Sequence, residues 1–215
     1  MVKISTSILS YNNPDLIFRL NETNTDYLHI DIMDGKFVKN KAFSMEEVKE
    51  VNRYSVKPLD VHLMVEEVEK YLLDLFLMKV EFITFHYEIL KNLNLLKKIK
   101  EKGIKCGLSV KPNTDIKEIF PLLKEIDLVL IMSVEPGSSG QKFIKSTLTK
   151  IKLLKEEIEK QSLDVLISVD GGINHENARL CVLNGADILV SSTYIIKNNN
   201  LQERISNLRG IFNKT

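Results

Sequence analysis

Short β-branched and apolar runs alternate with longer Lys/Glu-rich amphipathic runs along the whole chain, and few folds accept such a pattern. Strands are expected at 4–9, 27–33, 57–64, 82–86, 105–110, 128–133, 165–170 and 188–191. A helix is expected after each, starting near Pro14, Ser44, Val65, Ile89, Thr114, Phe143, Asn174 and Leu201. Strand-then-helix units build a parallel sheet, because each parallel pair needs a crossover connection. Eight such units close into a (β/α)8 TIM barrel, and 215 residues lie near the small end of that fold's range. An open doubly wound sheet is the structural competitor, and it carries GxGxxG after its first strand. The corresponding segment here reads SILSYNNPD, with no glycine. No linker, low-complexity tract or composition break divides the chain, so one barrel domain over 1–215 is expected.

Helix punctuation agrees with this reading. Asn13 before Pro14 suits an N-cap followed by proline in the first turn. Ser44 with Glu47 three residues on has the form of a capping box. Gly103 and Gly185 suit helix C-termini.

Composition removes several classes of partner. Lys plus Arg number 30 against 29 for Asp plus Glu, giving a formal net charge of +1. That balance calls for neither nucleic acid nor an anionic membrane. No apolar stretch approaches the ~20 residues of a membrane span, and the N-terminus lacks the apolar core of a signal peptide. Cys106 and Cys181 are too few for a disulfide framework or a cysteine zinc site, so a reducing, cytoplasmic setting is expected.

Active sites of such barrels form at the C-terminal ends of the strands. Read in order, those ends offer Ser7; His29, Asp31 and Met33; His62 and Met64; His86; Met132 and Ser133; Asp170; and Ser191 to Thr193. Strand side chains alternate faces, so His29, Asp31 and Met33 share one face, and His62 and Met64 share one on the next strand. Facing inward, they bring two imidazoles and a carboxylate together, with Asp170 arriving from the seventh strand. Two histidines and two carboxylates suit a divalent zinc, manganese, iron or cobalt ion. Glycines cluster in SVEPGSSGQKF (133–143) and in DGG (170–172). Glycine-rich turns before helices offer backbone N–H groups to an anion, and barrels commonly bind phosphate after strands seven and eight.

The blocks SILS, HIDIMDGKFVKN, KPLDVHLMV, SVEPGSSGQKF and VDGGI resemble, in order and spacing, the ribulose-phosphate 3-epimerase family, over about residues 4–197. The resemblance implies a metal-dependent isomerase of the pentose phosphate pathway. Such an enzyme interconverts D-ribulose 5-phosphate and D-xylulose 5-phosphate by inverting carbon 3. By matching position it implies His29, Asp31, His62 and Asp170 as metal ligands, and Asp31 and Asp170 as the acid–base pair. Ser7 and His62 match substrate contacts. Gly137, Ser138, Ser139, Gly140, Gly171, Gly172, Ser192 and Thr193 match the phosphate loops, and Met33, Met64 and Met132 would cover the enediolate. One divalent ion per chain is expected, zinc first, with iron, manganese, cobalt or magnesium as alternatives. The expected partners are a small sugar phosphate and further copies of the chain.

Three departures from the family pattern touch the mouth. PGFGGQ reads PGSSGQ, Gly-Ser after the last strand reads Ser192-Thr193, and FVPN reads FVKN with Lys39. A serine replacing a glycine that needs φ > 0 would be strained. A sister activity, D-allulose-6-phosphate 3-epimerase, uses the same fold and carboxylates on a six-carbon substrate. Barrel decarboxylases of the orotidine-monophosphate superfamily need a lysine in DxKxxD, absent from Asp60-Val61-His62. A degenerate barrel that binds sugar phosphate without catalysis is the remaining alternative, motivated by the altered loops.

Overall fold

The computed structural model describes residues 1–9 and 14–210. Its strands are β1 (Lys3–Ser7), β2 (Tyr27–Asp34), β3 (Lys41–Ala42), β4 (Leu59–Met64), β5 (Val80–His86), β6 (Lys105–Val110), β7 (Leu128–Met132), β8 (Leu166–Asp170) and β9 (Ile188–Ser191). The α-helices are α1 (Pro14–Asn21), α2 (Met45–Tyr54), α3 (Glu69–Leu75), α4 (Asn94–Lys100), α5 (Thr147–Lys160), α6 (His175–Leu183), α7 (Thr193–Ile196) and α8 (Leu201–Arg209). The parallel staves run β1-β9-β8-β7-β6-β5-β4-β2, and β2 pairs back onto β1, closing an eight-stranded TIM barrel. β3 lies antiparallel on the upper end of β2 and is not a stave.

Alternation along the staves divides the interior into two apolar populations. Outward residues such as Ile30, Val61, Ile83, Leu108, Ile131, Val169 and Leu189 pack with the helices in one large core. Inside the ring, Tyr27, Phe82, Leu128 and Ile188 plug the N-terminal end, with Leu130, Val190 and Met132 above them. The Tyr27 and Phe82 rings meet edge-on at 5.4 Å. Higher up, the inward positions turn polar, and there Ser5, His29, Asp60 and His62 are all buried.

A recurring device seals the base of the ring. An aspartate just before one stave accepts the first free N–H of a neighbouring stave: Asp26 from Ile4 at 2.8 Å, Asp127 from Cys106 at 2.8 Å and Asp187 from Ile167 at 2.9 Å. Strand edges that would end in water are thereby paired.

Several expected boundaries shift. A 3-10 turn at Tyr87–Ile89 precedes α4, and the helix expected near Phe143 starts at Thr147. The segment expected as a helix from Thr114 is a 3-10 helix over Ile116–Glu125, and Pro121 lies inside it. Proline removes an N–H and its ring clashes with the carbonyl four residues back, which blocks α-helical pairing through this segment. Gly103 and Gly185 take positive φ (73° and 113°) in the turns after α4 and α6, as helix endings require. The Asn13 cap expected for α1 lies outside the described residues.

The Ser44 capping box is formed in full. Glu47 N donates to Ser44 Oγ, and Ser44 N donates to Glu47 Oε2. Replacing Ser44 with alanine should cost ~1 kcal/mol and lower the melting temperature by about 2–4 °C for a chain of this size. Paired thermal scans of the two proteins check this.

Candidate active site at the mouth of the barrel

β2 and β4 are adjacent, and their register sets His29 beside Asp60, Asp31 beside His62 and Met33 beside Met64. Asp170 ends β8, three staves from β2 around the ring. The four expected ligands meet: one donor atom from each of His29, Asp31, His62 and Asp170 lies within 4.8 Å of the other three. His29 Nε2 is 3.2 Å from Asp31 Oδ1 and 3.9 Å from Asp170 Oδ2, and His62 Nδ1 is 3.1 Å from Asp31 Oδ1. Both imidazoles are fully buried, Asp31 is 3 % exposed, and the Asp170 side chain is 17 % exposed toward the mouth.

Beneath this cluster lies a carboxylate to which sequence reasoning gave no role. Asp60 Oδ2 accepts from His29 Nδ1 at 2.8 Å and from Ser5 Oγ at 2.8 Å. Asp60 keeps one His29 proton on Nδ1 and turns Nε2 toward the cluster, as an outer carboxylate does for a ligating histidine. Asp60 lies two residues before His62 and therefore shares its face, and that spacing was its signal in the sequence.

The charges in this space are strongly perturbed. Burial depresses the His29 imidazolium, but the Asp60 and Asp31 carboxylates outweigh burial and hold its pKa well above the ordinary value. Burial raises Asp31, yet His29 and His62 outweigh that and hold it well below the usual carboxylate range. Burial, followed by the charge of Asp31, pushes Asp170 up to about 7. The cluster thus favours protons on His29, which becomes cationic, and on Asp170, which becomes neutral. Two imidazole nitrogens and two carboxylate oxygens converging without a fixed cation form a donor set that fits a divalent metal ion.

Above the cluster opens a cleft. Its floor carries Ser7, Asp31 and Asp170, and Ser7 Oγ donates to Asp31 Oδ2 at 3.3 Å. Met33, Met64 and Met132 line its walls, the first two packed with Val38. Gly137, Ser138, Ser139, Gly140, Gly171, Gly172, Ser192 and Thr193 complete it. Every expected site residue therefore borders one space, except His29 and His62, which lie beneath it.

The glycine loops meet main chain to main chain. Gly171 and Gly172 hold φ of 120° and 63°. A Cβ on Gly172 would lie 2.7 Å from Phe143 N and 2.8 Å from Gln141 O, so only glycine lets the two loops approach. Gly137 and Gly140 also take positive φ, whereas the positive-φ non-glycine residues among those described are Phe43 and Ser162. The strain expected of serine at 138 and 139 is therefore absent. Gln141 Nε2 braces the loop by donating to Glu135 O (2.7 Å) and Ser138 O (2.9 Å). The Ser192 Oγ is buried with no hydrogen-bond partner in the structure. A second latch closes the mouth from the side of β2, where Asn40 Nδ2 donates to Gly137 O at 2.8 Å.

A cluster of this kind over a glycine-lined cleft can be compared with known proteins. Residues 3–196 match the model of the ribulose-phosphate 3 epimerase family. The chain belongs to this family. It is 38 % identical to the ribulose-phosphate 3-epimerase of Bacillus subtilis (strain 168), over 98 % of this chain and 99 % of that protein. It is also 38 % identical to the ribulose-phosphate 3-epimerase of Methanocaldococcus jannaschii, over 97 % and 90 %. Among solved structures, N-(5'-phosphoribosyl)anthranilate isomerase from Pyrococcus furiosus shares the fold, with a TM-score of 0.64 at 13 % identity over 99 % of this chain and 100 % of that one. Among the described residues, no helix is long and apolar enough to cross a membrane.

Asp60→Asn removes the acceptor charge that fixes His29. Zinc affinity, read by competition with a chromophoric chelator, should fall about 10–100-fold, with the fold retained by circular dichroism.

Proposed function

We propose that this chain is an isomerase that interconverts D-ribulose 5-phosphate and D-xylulose 5-phosphate by inverting carbon 3. The observation that carries this reading is the pair Asp31 and Asp170, two carboxylates from separated staves whose proton affinities are pushed in opposite directions at the floor of one cleft. The proton on carbon 3 is acidified by the neighbouring ketone, and its removal leaves an enediolate. Inversion needs a group on each face of that carbon, one to take a proton and one to return it. Asp31 is held ionised and Asp170 is the readier proton carrier, as acid–base assignments at one site require.

His29, Asp31, His62 and Asp170 would hold one divalent ion, zinc by preference. A cation held there would supply positive charge to stabilise the developing enediolate. Ser7 orients the substrate from the cleft floor, His62 acts on it from beneath through the ligand cluster, and the three methionines keep water from the reacting face. The loops at 137–140, 171–172 and 192–193 carry no arginine, so the phosphate is held by backbone N–H groups and the Ser192 hydroxyl. The six-carbon alternative is not favoured, since the relatives above bear the pentose name. The same proposal takes 1–215 as one domain working in the cytoplasm as a homo-oligomer. Solvent-facing Leu73 and Leu77 support self-association, which sedimentation velocity tests.

Asp31→Asn and Asp170→Asn should each abolish epimerisation, with exchange of the carbon 3 proton for deuterium surviving at most from one epimer. Near-normal turnover in either variant overturns the two-carboxylate mechanism. Ser139→Gly should change the Michaelis constant only a few-fold, ~1 kcal/mol or less, if main-chain donors dominate. A loss of ~1–3 kcal/mol, confined to phosphorylated substrate, would assign the hydroxyl an essential bond.

A further inference from the structure

His62 has one ring nitrogen in the metal-type cluster and the other in a chain of hydrogen bonds that leads out through the barrel wall. Its Nε2 lies 3.1 Å from His86 Nε2 and 3.2 Å from Ser109 Oγ. His86 Nδ1 lies 3.0 Å from Glu88 Oε2. The other Glu88 oxygen accepts from Lys111 N at 2.9 Å and from Thr114 Oγ1. His86 is fully buried, the Phe37 ring is tilted over it at 4.4 Å between centroids, and Lys111 Nζ sits 4.1 Å above Phe37. Neither Glu88 nor His86 borders the cleft.

Donor and acceptor bookkeeping gives this chain a direction. A carboxylate only accepts, so the proton facing Glu88 sits on His86 Nδ1. Neutral His86 then has a bare Nε2, which accepts from His62 Nε2–H. His62 is left with a bare Nδ1, the atom 3.1 Å from Asp31 in the cluster. Ser109 cannot impose this order, because a hydroxyl donates or accepts with equal ease. We propose that Glu88 and His86 are positioning residues that lock His62 in the tautomer whose Nδ1 lone pair faces the cluster. The neutral state of His86 follows from the same bookkeeping: with His62 Nδ1 bare toward the cluster, His62 Nε2 carries the proton, and His86 Nε2 must accept it. Burial raises Glu88, but the bonds from His86, Thr114 and Lys111 outweigh it and hold Glu88 at about 2. The inference rests on His62 being a ligand and is independent of which sugar phosphate is turned over.

The signature is an uncommon tautomer at a named residue. Long-range 15N–1H correlation spectra of the zinc-loaded protein should show His86 as the Nδ1–H form and His62 as the Nε2–H form. In Glu88→Gln the amide can donate to His86 Nδ1, which releases His86 to the Nε2–H form and sets two N–H groups against each other. Zinc affinity by chelator competition should then fall tenfold or more. His86→Gln, which still offers an oxygen acceptor toward His62, should keep affinity within about threefold of the parent, whereas His86→Leu should lose as much as Glu88→Gln. An Nε2–H form of His86 in the parent protein overturns the proposal, and that measurement needs no variant to fold. Unchanged zinc affinity in both Glu88→Gln and His86→Leu overturns it equally. Loss of epimerase activity with the tautomers as stated would count against the proposed reaction and leave the lock standing.

Discussion

Two imidazoles and two carboxylates share a buried space in which every facing atom carries a lone pair. Such an arrangement is unfavourable unless something positive sits among the donors, because burial raises the cost of each uncompensated charge. The cluster responds by raising His29 and Asp170 and by depressing Asp31. Around it, the structure supplies what keeps the lone pairs aimed inward. Asp60 grips His29 from below, and His86 meets His62 from the side. The apolar plug of Tyr27, Phe82, Leu128 and Ile188 closes the barrel underneath. The polar inward residues of the upper staves are tolerated because the outward residues of the same strands build the larger core with the helices. Stability and chemistry thus occupy opposite faces of the same strands.

The eight staves were readable because a parallel sheet buried on both faces leaves near-continuous apolar runs. The cluster was readable because period-two spacing in HIDIMDG and DVHLM puts its members on one face. β3 was not, since two residues carry no periodicity. The 3-10 segment at Ile116–Glu125 had a visible cause in Pro121, yet its amphipathic pattern reads as an ordinary helix. The partners of His62 were hidden for a different reason. His86 and Ser109 come from other staves, and only inter-strand register brings them to one ring nitrogen, with Glu88 behind His86. His86 was visible at its strand end, but a lone histidine there states no partner.

The serines at 138, 139 and 192 replace residues of the family pattern in the loops proposed to hold phosphate, and none of the three takes positive φ. The positions that need glycine, namely 137, 140, 171 and 172, retain it. Those loops present main chain together with the Ser192 hydroxyl, positioned by turns and by the contact of Gly172 with Phe143 and Gln141.

That contact bears on how such a site changes over evolutionary time. A ligand held by peptide groups is recognised through the path of the chain, and any residue compatible with that path serves equally well. Drift is barred at Gly171 and Gly172, where another peptide lies within 3 Å of the missing Cβ, and at Gly137 and Gly140, where the path takes positive φ.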